Sequence, residues 1–335
     1  RILGCHLNAD TTRKDDHVSQ RYFGAARSAG IEVVLNAFKR LQDQGKLNWT
    51  NMQLESIPSE LFQYIHGDLQ VEGTNWWEED VIRRIDISNN DLKSIDGRLA
   101  ECADLEELNF SSNQLQQLPH GVFSVLPVLK KLDLQHNDIH ALPDDICECS
   151  ILVDLNISDN QISALPPLPS SLLKLTCDRN QIKGSPNFGP HSRLEHLSMA
   201  ENLLNTVNFD GIASTMRTLV LSCNAITQFH CSRPTPQLTN LDLHTNKLEV
   251  YTLYQSMPIL DTLSLSNNTI TDVKCLNHAP KLSVLLLNSN KLRELPASVT
   301  DLKFLNTLAV ANNDLSSLPD KLGYMDCLKR IQLEG

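Results

Sequence analysis

An eleven-residue phrase dominates the chain. Ile82 to Leu92, IRRIDISNNDL, reads L-x-x-L-x-L-x-x-N-x-L with Ile allowed for Leu, and it returns ten more times. Its asparagines are Asn90, Asn113, Asn137, Asn160, Asn180, Asn202, Asn224, Asn246, Asn268, Asn290 and Asn313, at spacings of 20 to 24 residues. In Leu108-Asn109-Phe110 the outer two side chains point one way and the middle one the other, which is strand alternation. One repeat cannot bury its own inward residues. Stacked repeats bury them in continuous columns, so the phrase calls for a solenoid rather than a closed globule. In the third repeat the column residues are Leu129, Leu132, Leu134, Ile139, Leu142 and Ile146. Each contributes ~1.5–3 kcal/mol on burial, enough to offset chain ordering only when repeats are joined. The asparagine falls where the chain turns out of the strand. Its amide both donates and accepts, so it can satisfy the backbone groups that the turn leaves open.

Composition narrows the partner class. The formal net charge is -11. Residues 1–45 carry seven basic and five acidic side chains, net +2, which leaves -13 for the remainder. An acidic solenoid argues against nucleic acid, whose phosphates need clustered Lys and Arg. The nine cysteines are scattered and odd in number, without the clustering of a disulfide-sealed cap, so reduced thiols in a reducing compartment are expected. No apolar run approaches the ~18 residues of a membrane helix. Asn48, Asn109, Asn156 and Asn267 open N-x-S/T triplets, a pattern that arises readily by chance in a chain rich in these residues. The chain opens at Arg1 rather than Met and stops within a phrase begun by Leu328 and Ile331, so further sequence is expected at both ends.

The organisation expected along the chain is simple. Residues 1–30 show no period and read as irregular or disordered. Residues 31–45 form an amphipathic helix, with apolar positions 31, 34, 35, 38 and 41, that caps the first column. A solenoid domain fills 46–335: a divergent first repeat at 47–61 with Met52 in place of the asparagine, an insertion at 62–80 carrying Trp76-Trp77, eleven regular repeats from 81, and an incomplete last repeat at 328–335. Leu-Pro pairs at Leu142, Leu295 and Leu318 predict short helical turns on the outer face. LPPLPSSL at 165–172 is too proline-rich for helix and reads as extended.

The phrase and its L-P-x-x-I continuation resemble the intracellular leucine-rich repeat family of the 23-residue type. VLNAFKRLQDQGKLNWTNMQLESIP, NWWEEDVIRRIDISNNDL and SALPPLPSSLLKL resemble N-terminal and repeat segments within that family. The resemblance implies an α/β solenoid: a right-handed leucine-rich-repeat horseshoe with a parallel β-sheet on the concave face and short helical, 3-10 or extended segments on the convex face. It also implies an intracellular location, cytoplasm first and nucleus second, and no catalytic residues, cofactor or ligand.

Side chains flanking the central leucine of each strand should face the concave surface. One row runs Arg84, Glu107, Lys131, Asp154, Lys174, and its companion runs Asp86, Asn109, Asp133, Asn156, Thr176. The last repeats turn apolar at Val284, Leu286, Ala309 and Ala311. The candidate partner-binding residues are Asp133, Asp154, Val284, Leu286 and Ala309. Motifs for phosphate binding, zinc hydrolysis and the nucleophile elbow are absent from the sequence, and the histidines fall in different phases with no expected convergence. The expected function is a monomeric, non-catalytic protein-interaction scaffold or adaptor. The alternatives are an extracellular receptor ectodomain, which glycans or disulfides would favour, and the targeting segment of a larger enzyme.

Overall fold

Each phrase yields one three-residue strand, because only the central leucine and the apolar residue after the strand need to enter the column. The computed structural model describes residues 30–39, 45–69, 81–184, 188, 192–229, 231–253 and 255–334. Among the described residues thirteen such strands, from Lys46–Asn48 to Arg330–Gln332, form one parallel sheet in which each pairs with its neighbour in the stack, residue for residue. The central residues from Leu47 to Leu308 are buried, whereas Ile331 in the last strand is 39% exposed. All six column residues of the third repeat are buried.

The asparagine ladder joins each repeat to the one before it. Asn113 Oδ1 accepts from the Leu92 backbone N–H at 3.1 Å. Its Nδ2 donates to Ile87 O in the preceding repeat and to Phe110 O in its own, both at 3.0 Å. Asn202 does the same with Ile182 N, Cys177 O and Met199 O. So does every later member through Asn313, which meets Leu292 N, Leu287 O and Val310 O. Asn90 reaches back to the divergent repeat, where Met52 N and Leu54 N share its Oδ1 and Trp49 O accepts from its Nδ2. Met52 stands at the ladder position of that repeat and supplies no bridge of its own.

The turn into the ladder is strained. The residue before each of the eleven asparagines has φ between +50° and +56°, and among them are Glu201, Cys223 and Thr245. Left-handed backbone costs a non-glycine residue roughly 1–2 kcal/mol. It is held because the same residue's N–H bonds the next repeat, as Cys223 N does to His244 O at 2.9 Å.

The outer connections are short. Asp144–Glu148, Ala297–Asp301 and Asp320–Tyr324 are 3-10 helices, preceded by Pro143 and Pro296 in extended conformation and by Pro319 at φ -58°, ψ 130°. Proline thus stands just before the helical turn instead of opening it. Residues 165–172 carry neither helix nor strand. A second pairing, Val250–Thr252 with Asp272–Lys274, adds two strands that the sequence pattern did not predict.

At the N-terminal end a helix, α1 (Gly30–Lys39), lies against the first strand. Phe38 and Trp49 are fully buried and meet edge to face at 5.7 Å, and Trp49 Nε1 donates to Val34 O at 3.4 Å. A second helix, α2 (Glu60–Ile65), buries Leu61 and Phe62. Of the expected irregular segment at 1–30, Gly30 opens α1, and the rest, like the Trp76-Trp77 part of the insertion, lies outside the described residues.

Replacing Asn202 by Ala removes its bonds to Ile182 N, Cys177 O, Met199 O and Ala200 O and leaves buried backbone groups unpaired. It should lower unfolding stability by on the order of 2–4 kcal/mol. Asn313→Ala, at a partly exposed position, should cost clearly less. Urea unfolding of the two variants measures the difference.

Candidate functional site

The inner face is built from the two positions that flank each central leucine. In register along the sheet, Arg84, Glu107, Lys131, Asp154 and Lys174 succeed one another with alternating sign. At a strand spacing of ~4.8 Å such neighbours are in reach of one another. Arg84 and Lys131 approach Glu107 at 3.6 and 3.8 Å, and Lys174 approaches Asp154 at 3.5 Å. Two residues along each strand, across the central leucine or isoleucine, lie Asp86, Asn109, Asp133 and Asn156, with Lys46 at 3.5 Å from Asp86. The two rows line a shallow concavity of about 240 Å³.

Further rows flank it. Glu106 bonds Lys130 at 2.7 Å and Arg83 at 3.2 Å, and these cations hold its carboxyl below the usual range. Arg179 bridges Asp159 and Glu201, and the Arg179 guanidinium lowers the Asp159 carboxyl in the same way. Exposed pairs of this kind are screened by solvent and contribute little to stability. Their effect is to hold long side chains in a fixed order on the surface.

Asp133 is the exception. Burial raises its pKa, against the Gln135 backbone N–H bonded at 3.0 Å and the Asn156 amide, which lower it. A carboxylate is thereby kept where the fold disfavours its charge, a pattern associated with sites that act on something else.

The structure brings Asp133 and Asp154 onto adjacent strands of this concavity. Val284 and Leu286 share one strand, six strands away from Asp154 in the stack, or about 29 Å. Ala309 does not offer the surface expected of it, because it is 1% exposed. Its methyl lies between the longer Leu286 and Gln332, and Gln332 reaches across that strand to accept from Asn288 Nδ2 at 3.2 Å. The apolar end is therefore reduced to Val284, Leu286 and the half-exposed Ala311.

One grouping of a histidine goes beyond what the periodicity predicts. His244 Nδ1 lies 2.8 and 3.0 Å from the two carboxylate oxygens of Asp242, and its Nε2 lies 3.8 Å from Cys223 Sγ. The signal in the sequence was an Asp-x-His pair 21 residues downstream from a cysteine, one short of the local 22-residue period. That offset moves the cysteine one row sideways, where a column-by-column comparison does not look. Among the described residues no three His, Cys, Asp or Glu side chains are grouped to hold a metal ion, and no helix is long and apolar enough to cross a membrane.

A family model described as leucine rich repeat matches residues 81–139. The chain folds as a leucine-rich-repeat solenoid. Several solved structures share that fold. The leucine-rich effector YopM from Yersinia pestis is 23% identical with a TM-score of 0.61, over 96% of this chain and 100% of that one. The leucine-rich repeat domain of APL1B is 20% identical with a TM-score of 0.65, over 84% and 86%. A chain of the Drosophila Toll–Spatzle complex is 22% identical with a TM-score of 0.62, over 82% of this chain and 38% of that one. No curated protein sequence matches the chain.

The raised Asp133 pKa makes a signed prediction. The folded state keeps this proton to a higher pH than the unfolded chain, so stability falls as pH rises from the ordinary carboxylate value through the raised one. Asp133→Asn, which does not titrate, should be more stable than the parent at pH 7. That gain should shrink as the pH is lowered through the window, as thermal melts across pH will register.

Proposed function

We propose that this leucine-rich-repeat solenoid is a non-catalytic protein-interaction scaffold that holds its partner on the charged end of the inner sheet. The observation that carries the proposal is the sign-alternating row Arg84, Glu107, Lys131, Asp154 and Lys174 above the disfavoured carboxylate of Asp133. A row of ordered, accessible charges on a rigid sheet suits a partner whose own charges alternate in step, and it sets specificity and encounter rate more than raw affinity. Nucleic acid is a poor fit, because each cation in the row has a carboxylate beside it. A standard interface covers ~800 Å² per partner, so one partner of ordinary size occupies this end or the Val284–Leu286 end, not both. The charged end has the concavity.

An intracellular, monomeric adaptor is the form of this proposal that agrees best with the thiols. Eight cysteines among the described residues are free, and Cys102, Cys149, Cys177 and Cys231 are buried. The resemblance of VLNAFKRLQDQGKLNWTNMQLESIP and NWWEEDVIRRIDISNNDL to leucine-rich repeat-containing protein forty, an intracellular member of the family, supports the same compartment. The Toll–Spatzle complex is an instance of this fold with a protein bound.

Capture from cell lysate with three chains tests the proposal: the parent, Lys131→Glu/Lys174→Glu, and Val284→Glu/Leu286→Glu. The charge-reversed chain should lose the partner by at least roughly tenfold, and capture by the parent should weaken with added salt. The Val284/Leu286 variant should retain the partner. Retention by the first variant and loss by the second would move the site to the apolar end.

A further inference from the structure

A thiol, an imidazole and a carboxylate meet on the inner side of the sheet, three strands past the charged concavity, and the proposed scaffold function uses none of them. Asp242 lies in the strand Asn240–Asp242, His244 two residues beyond it, and Cys223 at the turn of the preceding repeat. The carboxylate sits 2.8 Å from His244 Nδ1 and so fixes the ring proton there. Nε2 is left with its lone pair towards Cys223 Sγ, 3.8 Å away. Cys223 and His244 are both partly exposed, so a reagent from solution can reach the sulfur.

The local backbone aims the thiol. Cys223 is held at φ +55°, with its N–H bonded to His244 O at 2.9 Å and the ladder residue Asn224 immediately after it. The left-handed turn is an unfavourable position for a cysteine, and it is the one that directs the side chain across the neighbouring repeat towards the ring. Other charges nearby are few. Glu201 occupies the corresponding turn position one repeat earlier and is itself paired with Arg179 at 3.7 Å. The facing positions of the following repeat, Ser264, Ser266 and Asn267, carry no charge.

We propose that Cys223 is a reactive thiol, primed by His244 and positioned by Asp242, that undergoes exchange with low-molecular-weight disulfides. His244 Nε2 takes the thiol proton. The Cys223 sulfur then attacks one sulfur of the disulfide, a new S–S bond forms at Cys223, and the original S–S bond breaks. The departing thiolate takes the proton back from His244. Cys223 is oxidised, one half of the disulfide is reduced, and no further oxidant is needed. The Cys223 and Asn224 N–H groups are committed to His244 O and Thr245 O of the next repeat, so neither is free to hold an oxyanion, and the assignment is a modification site.

The other thiols set the contrast. Burial pushes Cys102 up to about 12 and Cys149 up to about 11, and raises Cys177 well above its ordinary value, so these stay protonated and closed to solvent. Cys147 and Cys275 are exposed and, among the described residues, no histidine ring is hydrogen-bonded to either thiol, which makes them internal controls for accessibility alone.

The test is site-resolved mass spectrometry of the full chain after timed exposure to oxidised glutathione across a pH series, with iodoacetamide alkylation in parallel. Near pH 7, Cys223 should react at least roughly tenfold faster than Cys147 and Cys275, a floor set beneath the ~10²–10⁴-fold that a positioned base contributes. His244→Gln should bring Cys223 down to the rate of those controls and steepen its dependence on pH. Asp242→Asn should give an intermediate rate. Circular dichroism melts establish that both variants remain folded, and either one alone suffices. The proposal is overturned if Cys223 reacts no faster than Cys147 and Cys275 in the parent. It is equally overturned if folded His244→Gln keeps the parent rate.

Discussion

Everything in this molecule hangs on the bridge that one asparagine amide makes between two repeats. An amide is the only uncharged side-chain group that can accept from one backbone N–H while donating to two backbone carbonyls. At Asn113 those partners are Leu92 N, Ile87 O and Phe110 O, two of them in the preceding repeat. The leucine columns supply most of the burial, but apolar contact is not directional and would tolerate sliding. The amide bridge fixes register, and with it the strained turn, since the left-handed residue before each asparagine is tied into the next repeat by its own N–H.

A fixed register is also what makes an inner face usable. Because every repeat presents the same two flanking positions at the same height, any residue placed there joins a straight row. Arg84, Glu107, Lys131, Asp154 and Lys174 form such a row with hardly any bearing on stability, since exposed pairs are weak. The scaffold and its surface are thus nearly independent, and the surface can specialise at little cost to the fold. Two places depart from that independence. Asp133 keeps a charge that burial disfavours, and Cys223 turns its thiol towards the His244 ring of the next repeat. Both lie on the inner side.

Much of this was legible in the residues. The period gave the strands and their register, because alternation with period two assigns each residue to the column or to the face, and Asp133 and Asp154 fall on adjacent strands as that rule requires. What escaped depends on contacts between repeats in different phases. Ala309 belongs to the face by its position but is closed off by Gln332, a residue 23 positions later, bonding Asn288 across it. The Val250–Thr252 and Asp272–Lys274 pairing sits where the phrase has no consensus. The meeting of Cys223 with His244 needs a one-residue offset from the 22-residue spacing, and no column comparison detects that.

The central claim is that the amide bridges are structural joints and not ornaments of an otherwise hydrophobic stack. Native-state amide hydrogen exchange tests it most directly. The N–H groups of Leu115, Ile139, Ile162, Ile182, Leu204, Ile226 and Leu248, all bonded to a ladder Oδ1, lie outside the strands. They should exchange as slowly as the strand amides of their own repeats and lose protection together with them as denaturant is added. Fast exchange of these amides beside slow strand amides would contradict the account, because the stack would then hold its register without the bridges.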